Sequence, residues 1–441
     1  MIRDNKVLRN LVRKKILSFF CDYVDVLQYR NVLRDVEDFL LPSLLYFFYS
    51  KHSDLPVGFD QYLKELDLHN SNFEYITNRI KTLLNCYKDI DGEPLGDIHP
   101  NESTKFQDGN KVVYKDLPDY GDLIAVLSSK VFDDYKSFFP KIIKHNNYCF
   151  RDYISADTET EKEETVEKYY YNLGKIIPFL LFIRSIDVNA ENMIVHLPYP
   201  VFFDMETIFS GEFADKSKQY DLTKTGLIKM EDNDTSILTG GLHKRDSLLK
   251  PILCGSMRKP CIKWRCSSKG KSSNIPELKG HTVHPLDYIN SIKGGYLETS
   301  QKIINNKEIL LNIVKEAEAN LRIILRPTRI YRFFILESCY PQIYLYQNIN
   351  SFLKYKLSNC DLIYSIIDKN LLSYEVKALS NLQIPTFYSN LKDREILSSE
   401  GKVVAYWKYS QFDTWNQYLK DLNSEFFDKQ LETLELSIKE Q

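Results

Sequence analysis

Three polar residues interrupt the otherwise apolar stretch IDVNAENMIVHLPYPVFFDMETIF (residues 186–209): Asp187, Asn192 and Asp204. A carboxylate is costly to bury without a positive partner, so carboxylates on apolar supports have a cation to meet. Asn192 follows Asp187 by five positions, and Asp204 follows Asn192 by twelve. One carboxylate can orient a hydroxyl nucleophile while an amide oxygen and a second carboxylate hold Mg²⁺ against phosphate groups. Phosphoryl transfer needs those parts. Within the stretch, MIVHLPYPVFF reads as two short apolar strands around a turn, a support for a loop that must keep its geometry.

Protein kinases place a catalytic-loop aspartate and asparagine at the same five-residue offset, with a metal-binding aspartate about a dozen residues later. A D-x4-N spacing alone arises often by chance, so a second element is needed upstream. VVYK supplies one: Lys115 ends a strand-like run after a DGN turn, as does the kinase lysine that pairs the nucleotide phosphates. No G-x-G-x-x-G loop precedes it; the nearest phosphate clamp is GDIHPNES, with Asp97 and His99.

The surrounding elements follow from periodicity and composition. With 441 residues the chain exceeds what one hydrophobic core supports, so two or three subdomains are expected. Apolar residues make up 43%, charged residues 27% and the net charge is −2, which points to neither nucleic acid nor a membrane surface as partner. Residues 1–92 carry apolar side chains at helical spacing (LVRKKILSFFCDYV, FLLPSLLYFFY, FEYITNRIKTLLNCY). FLLPSLLYFFY is too short to span a bilayer and reads as a buried helix pair around Pro42. Eight scattered cysteines and a start without a secretory pattern suggest a cytoplasmic protein with reduced thiols.

SADTETEKEETVEKYYYNLGKIIPFLLFI opens with acids and turns apolar, as a helix does when its first turn complements its own dipole. Residues 243–281 hold ten Lys/Arg against two acids, a mobile basic loop suited to an anionic or acidic partner. Cys254, Cys261, Cys266, His281 and His284 lack the paired spacing of a zinc site. Residues 285–441 return to helices, interrupted by ILRPTRIYRFF with its strand-like content.

Taken together, these motifs resemble the dehydratase domain of class II lanthipeptide synthetases. That family carries G-D-x-H and a strand ending V-Y-K; here stand Gly96, Asp97, His99 and then Val113, Tyr114, Lys115. Its T-D-L-H-x-E-N and D-L-E-T are matched by IDVNAEN and DMET, with Asp187, Glu191, Asn192, Asp204, Glu206 and Thr207. T-G-L falls at Thr225–Leu227, and DTSILTGG echoes D-x-S-x-L-x-G. R-x-x-x-R-P-T-x-x-Y is intact as Arg322, Arg326, Pro327, Thr328 and Tyr331, and NLQIPTFYSNL resembles D-I-P-Y-F. The likeness runs from about residue 90 to the C-terminus.

The resemblance implies an α+β, lipid- and protein-kinase-like two-lobed fold. Residues 1–92 would be a reduced helical region, 93–155 a kinase-like N-lobe, and 156–441 a large helical C-lobe. It implies that ATP and Mg²⁺ are used to phosphorylate Ser or Thr of a leader-bearing precursor peptide, and that phosphate is then eliminated. Asp187, Asn192 and Asp204 would serve phosphorylation, with Asn192 and Asp204 on the metal and Lys115 and Glu206 on the nucleotide. Arg322, Thr328 and His99 match the elimination residues, beside Asp97 and Arg326. A departing phosphate needs a fixed cation, which Arg322 or Arg326 can provide in bidentate fashion.

Three departures mark this chain. The family histidine after Asp187 is Asn189, which hydrogen-bonds but does not titrate near neutral pH. PNES replaces N-G-G in a shortened anion loop. No zinc-binding cyclase motif follows, so a stand-alone dehydratase working with a separate cyclase is expected. The other readings are a peptide kinase without elimination and a weak or inactive leader-binding or regulatory partner.

Overall fold

The computed structural model describes residues 6–51, 59–88, 92–94, 102–107, 110–116, 120–144, 148–189, 192–215, 220–228, 238, 246–256, 259–267, 274–345 and 347–439. It begins with helices α1 (Lys6–Phe19), α2 (Val24–Leu27), α3 (Arg30–Lys51), α4 (Phe59–Glu65) and α5 (Ser71–Lys88). Strands β1 (Glu93–Pro94), β2 (Glu102–Gln107), β3 (Asn110–Asp116), β4 (Ile142–Lys144) and β5 (Tyr148–Asp152) follow, with α6 (Gly121–Ser129) between β3 and β4. They form an antiparallel sheet ordered β1-β2-β3-β5-β4.

After β6 (Glu159–Thr160), helix α7 (Glu163–Phe182) leads into the hairpin β7 (Met193–His196) and β8 (Tyr199–Phe202). Within the basic stretch 243–281, expected to be a loop, β9 (Asp246–Ser256) pairs with β10 (Lys259–Ser267) as an antiparallel hairpin. Strand β11 (Glu277–Leu278) joins β6 to β12 (His281–Thr282). Next come α8 (Ile289–Asn305), α9 (Lys307–Glu316), β13 (Asn320–Ile323), α10 (Thr328–Ser338), α11 (Pro341–Tyr344) and α12 (Ile349–Ser358). The last elements are β14 (Ile366–Asp368), α13 (Leu371–Ser380), β15 (Phe387–Asn390), β16 (Glu395–Ser398), β17 (Val403–Trp407), α14 (Gln411–Asp421) and α15 (Ser424–Lys439). The second five-stranded sheet is ordered β13-β15-β16-β17-β14.

The fold is thus a mixture of helices and antiparallel sheets, built on two apolar clusters. One gathers α6, α7, the β7–β8 hairpin, the second sheet and the C-terminal helices. Its axis is α7, which starts on Glu163 and Glu164 and is buried almost throughout from Tyr169 to Phe182. Helix α8 crosses α7 at backbone contact: a Cβ at Gly174 would stand 2.0 Å from the Ile292 carbonyl oxygen. The other cluster joins the N-terminal helices to α10, α12 and α13. In α5 the residues Phe73, Ile76, Ile80, Leu83, Leu84 and Tyr87 bury one face at helical spacing.

Two local expectations are corrected. FLLPSLLYFFY is not a helix pair: α3 runs unbroken through Pro42, because burial of Phe39, Leu40, Leu41 and Leu44 outweighs one lost backbone bond. ILRPTRIYRFF is a strand end followed by a helix. Pro327 is the N-cap of α10, and Tyr331, Phe334 and Ile335 bury a helical face despite their strand propensity. Among the described residues no helix is long and apolar enough to cross a membrane.

Candidate active site

Helix α7 ends inside the protein, where its last carbonyls would lack partners. The N–H groups of Ser185 and Arg184 bond Leu180 and Leu181, and side chains from later in the chain add to them: Tyr220 donates to Leu180, Tyr418 to Leu181 and Trp415 to Phe182, at 3.2, 3.0 and 2.8 Å. Arg184, in the left-handed region at φ 48°, turns back under the helix end and donates to the carbonyls of Ser210 and Gly211. Its guanidinium lies over the Tyr220 and Tyr418 rings at 4.7 and 5.0 Å. Burial pulls its pKa below the usual value, with the tyrosines opposing that pull.

From this anchor the chain runs as a tethered loop. Ile186 donates its N–H to Thr207, whose hydroxyl donates back to the Ile186 carbonyl. Val188 donates to Thr225 at 2.8 Å, and Gly226 lies so close that an added Cβ would be 3.1 Å from the Val188 oxygen. The D-M-E-T and T-G-L motifs are therefore the two walls that hold Asp187. That residue is exposed and, at φ 61°, adopts a backbone conformation that costs energy for anything but glycine.

Two amides grip Asp187. Asn189 donates Nδ2 to its Oδ1 at 2.9 Å, while Asn192 donates Nδ2 to its carbonyl at 2.7 Å and its Oδ2 at 3.4 Å. Asn189 thus orients the carboxylate without a titrating ring. Asn192 is also joined to the far strand of the hairpin, since its carbonyl accepts from the N–H of Phe203, next to Asp204. Met193 pairs with Phe202, so the hairpin's open end sets Asn192 beside Asp204. With Nδ2 turned to Asp187, the Asn192 amide oxygen and the Asp204 carboxylate are hard oxygen donors of the kind Mg²⁺ takes, phosphate and water completing its shell. The donor set fits the metal.

Two arginines bracket Asp204 and Glu206 from the two sheets. Arg151 on β5, itself buried, donates to the Phe203 carbonyl and lies 3.8 Å from Asp204. Arg151 sits opposite Val113 in the ladder, so positions 113, 115 and 151 share one face of the first sheet. Arg322 on β13 pairs with Glu206. Burial alone would lower the Arg322 pKa; Glu206 beside it, with Tyr388 and Asp204, more than reverses this and raises it above the usual value. It stays a cation.

Thr328 opens α10, half-buried, five residues beyond the end of β13. Arg326 is spent elsewhere: it forms a fork with Glu375 at 2.9 and 3.3 Å and donates to the Cys360 carbonyl, with Tyr331 donating to the same carboxylate. Of the sequence-predicted residues, the structure brings Asp187, Asn189, Asn192, Asp204, Glu206 and Arg322 into one connected set, and turns Arg326 into the body of the protein. Asp97, His99 and Glu191 lie outside the described residues. Arg151 was missed; a single arginine in YCFRDY carries no spacing that would reveal it.

A protein of Lactococcus lactis subsp. lactis, the lacticin 481/lactococcin biosynthesis protein LcnDR2, is 20% identical over 358 residues, which cover 75% of this chain. The match takes in 38% of that protein, so the chain spans well under half of its relative's length. From β1 through β15, residues 94–390 match one family model, more than half the chain and all of the candidate site except the α14 side chains beneath α7: the chain belongs to the DUF4135 family, a domain of unknown function.

Proposed function

We propose that this chain is an ATP- and Mg²⁺-dependent dehydratase acting on Ser and Thr of a ribosomally made precursor peptide. Its likeness to a lacticin 481/lactococcin biosynthesis protein supports a role in lanthipeptide biosynthesis. We read the first sheet as the smaller lobe of a kinase-like fold, with Lys115 on the nucleotide phosphates, and the α7 core as the larger lobe. The observation that carries the reading is the Arg322–Glu206 pair, which sets the elimination motif two residues from Asp204.

Asn192 and Asp204 would hold Mg²⁺, whose charge, when it is bound, would offset that of the transferred phosphoryl group. Asp187, held by Asn189 and Asn192, orients the Ser or Thr hydroxyl and accepts its proton as the oxygen bonds to the γ-phosphorus of ATP; the bond from that phosphorus to the bridging oxygen breaks and ADP leaves with the electron pair. In the second stage the peptide's α-proton is removed, the Cβ–O bond breaks, and phosphate leaves with the electron pair as the double bond forms. In this reading Arg322 is the fixed cation for that phosphate, and the Thr328 hydroxyl, at the start of α10, is its hydrogen-bond donor.

Intact-mass analysis of the precursor peptide encoded beside this chain, incubated with protein, ATP and Mg²⁺, tests the reading. Loss of water is expected. Phosphate gain alone would mean a peptide kinase without elimination. An unchanged peptide would mean a leader-binding or regulatory partner.

A further inference from the structure

Directly after Tyr331 of the elimination motif stands another arginine. Arg332 lies one turn after Thr328 on the same side of α10, and its Nη2 is 2.9 Å from Asp35 and 3.6 Å from Asp38, both on α3. The three side chains are 7%, 3% and 5% exposed. They sit in the cluster that packs Val36, Phe39 and Leu40 against Ile335 and Leu336. A second tie comes from Arg79 of α5, which donates to the Ser338 hydroxyl and carbonyl at the far end of α10 and to Leu379 and Ser380 at the end of α13. The N-terminal helices therefore grip α10 at its middle and at its C-terminal end.

Stability does not explain these charges, because apolar residues of similar volume often replace a buried ion cluster at no loss. What a guanidinium between two carboxylates adds is direction. An apolar helix face can slide or turn over its neighbour at small cost, whereas the ion cluster has one address. Asp187, Asn192 and Asp204 stand on the other core, with Val188, Met193 and Met205.

Resting on the dehydratase reading, we infer that Asp35 and Asp38, acting through Arg332, are positioning residues for Thr328. The N-terminal helices set the geometry of the elimination half of the site and leave the phosphorylation half unaffected.

The test uses the full chain carrying Asp35→Asn, Asp38→Asn and Arg332→Met together, which removes the buried cluster; of its neighbours Arg34, 3.7 Å from Asp35, loses a carboxylate but is a quarter exposed. Phosphorylation of the unmodified precursor is followed by mass, and elimination is followed separately on the same peptide synthesised with phosphoserine. Expected are phosphorylation at the wild-type rate, elimination about tenfold or more slower, and faster amide exchange over residues 331–336. Arg332→Lys, which keeps the charge but not the fork, is expected to recover part of the elimination rate. Wild-type elimination, or equal loss of both steps, overturns the inference. So does unchanged amide exchange in α10, a readout that needs no activity. A wild-type protein inert on both peptides would instead sink the dehydratase reading.

Discussion

Arg322 and Glu206 form an ion pair across 116 residues of chain, joining the strand that leads into α10 to the segment that carries Asp204. The pair is largely shielded from solvent, so neither charge is a surface accident. It places the cation proposed for the leaving phosphate against the acids proposed for phosphoryl transfer.

Replacing Arg322 by Ala should therefore leave phosphorylated peptide accumulating while phosphorylation continues. Because the change strands Glu206, stability should also drop by about 3–5 kcal/mol, measurable by urea unfolding. Fully dehydrated product from this variant would show the elimination assignment to be wrong.

Asp204→Ala removes a hard oxygen donor and the partner of Arg151. Phosphorylation should fall by about 10²–10³-fold, the scale of losing one preorganised charge-stabilising contact. Undiminished phosphate transfer would sink the metal assignment.

Asn189 holds Asp187 through one 2.9 Å hydrogen bond. Asn189→Ala should slow phosphorylation by about tenfold, roughly the worth of a hydrogen bond to a charged group. Asn189→His should restore much of the rate but add a titration limb between about pH 5 and 8 that the wild type lacks, since only the imidazole ionises there. A pH–rate profile identical to the wild type's would exclude a role for position 189 in orienting the carboxylate.

Gly226 has φ 93° and lies against the Val188 backbone. Gly226→Ala should cost about 1–3 kcal/mol in strain and, by pushing Val188, disturb Asp187. Thermal unfolding and phosphorylation should both suffer. If only stability changes, the T-G-L wall does not position the catalytic carboxylate.

Glu375 has no exposed surface, and Arg326 and Tyr331 both donate to it. Glu375→Gln should lower stability by about 3–5 kcal/mol without changing the ratio of phosphorylated to dehydrated peptide. The same is expected of Arg326→Met. A phosphopeptide surplus with Arg326→Met at intact stability would return Arg326 to the catalytic set.

Much of the site was legible because its parts are local. Asp187, Asn192 and Asp204 belong to one loop and one hairpin, and a two-stranded hairpin must bring its open ends together whatever surrounds it. The VVYK strand and the acidic opening of α7 were readable for the same reason, as patterns of period two and of helix-start chemistry. ILRPTRIYRFF was not, because β-branched and aromatic residues there serve a helix that packs against α3 and α13, a context that overrides propensity.

By itself, then, the sequence determined the chemical types on offer, the loop and hairpin that carry them, and the motif likeness that joins residues near 90 to those near 390. Only the tertiary structure decided which charges meet. Arg322, Arg326 and Arg332 stand within eleven residues of one another, and their chemistry is identical on paper. The fold sends the first to Glu206, the second to Glu375 and the third to Asp35 and Asp38. An ion pair is set by proximity in space, and two partners far apart in the chain leave no spacing that could be read in advance.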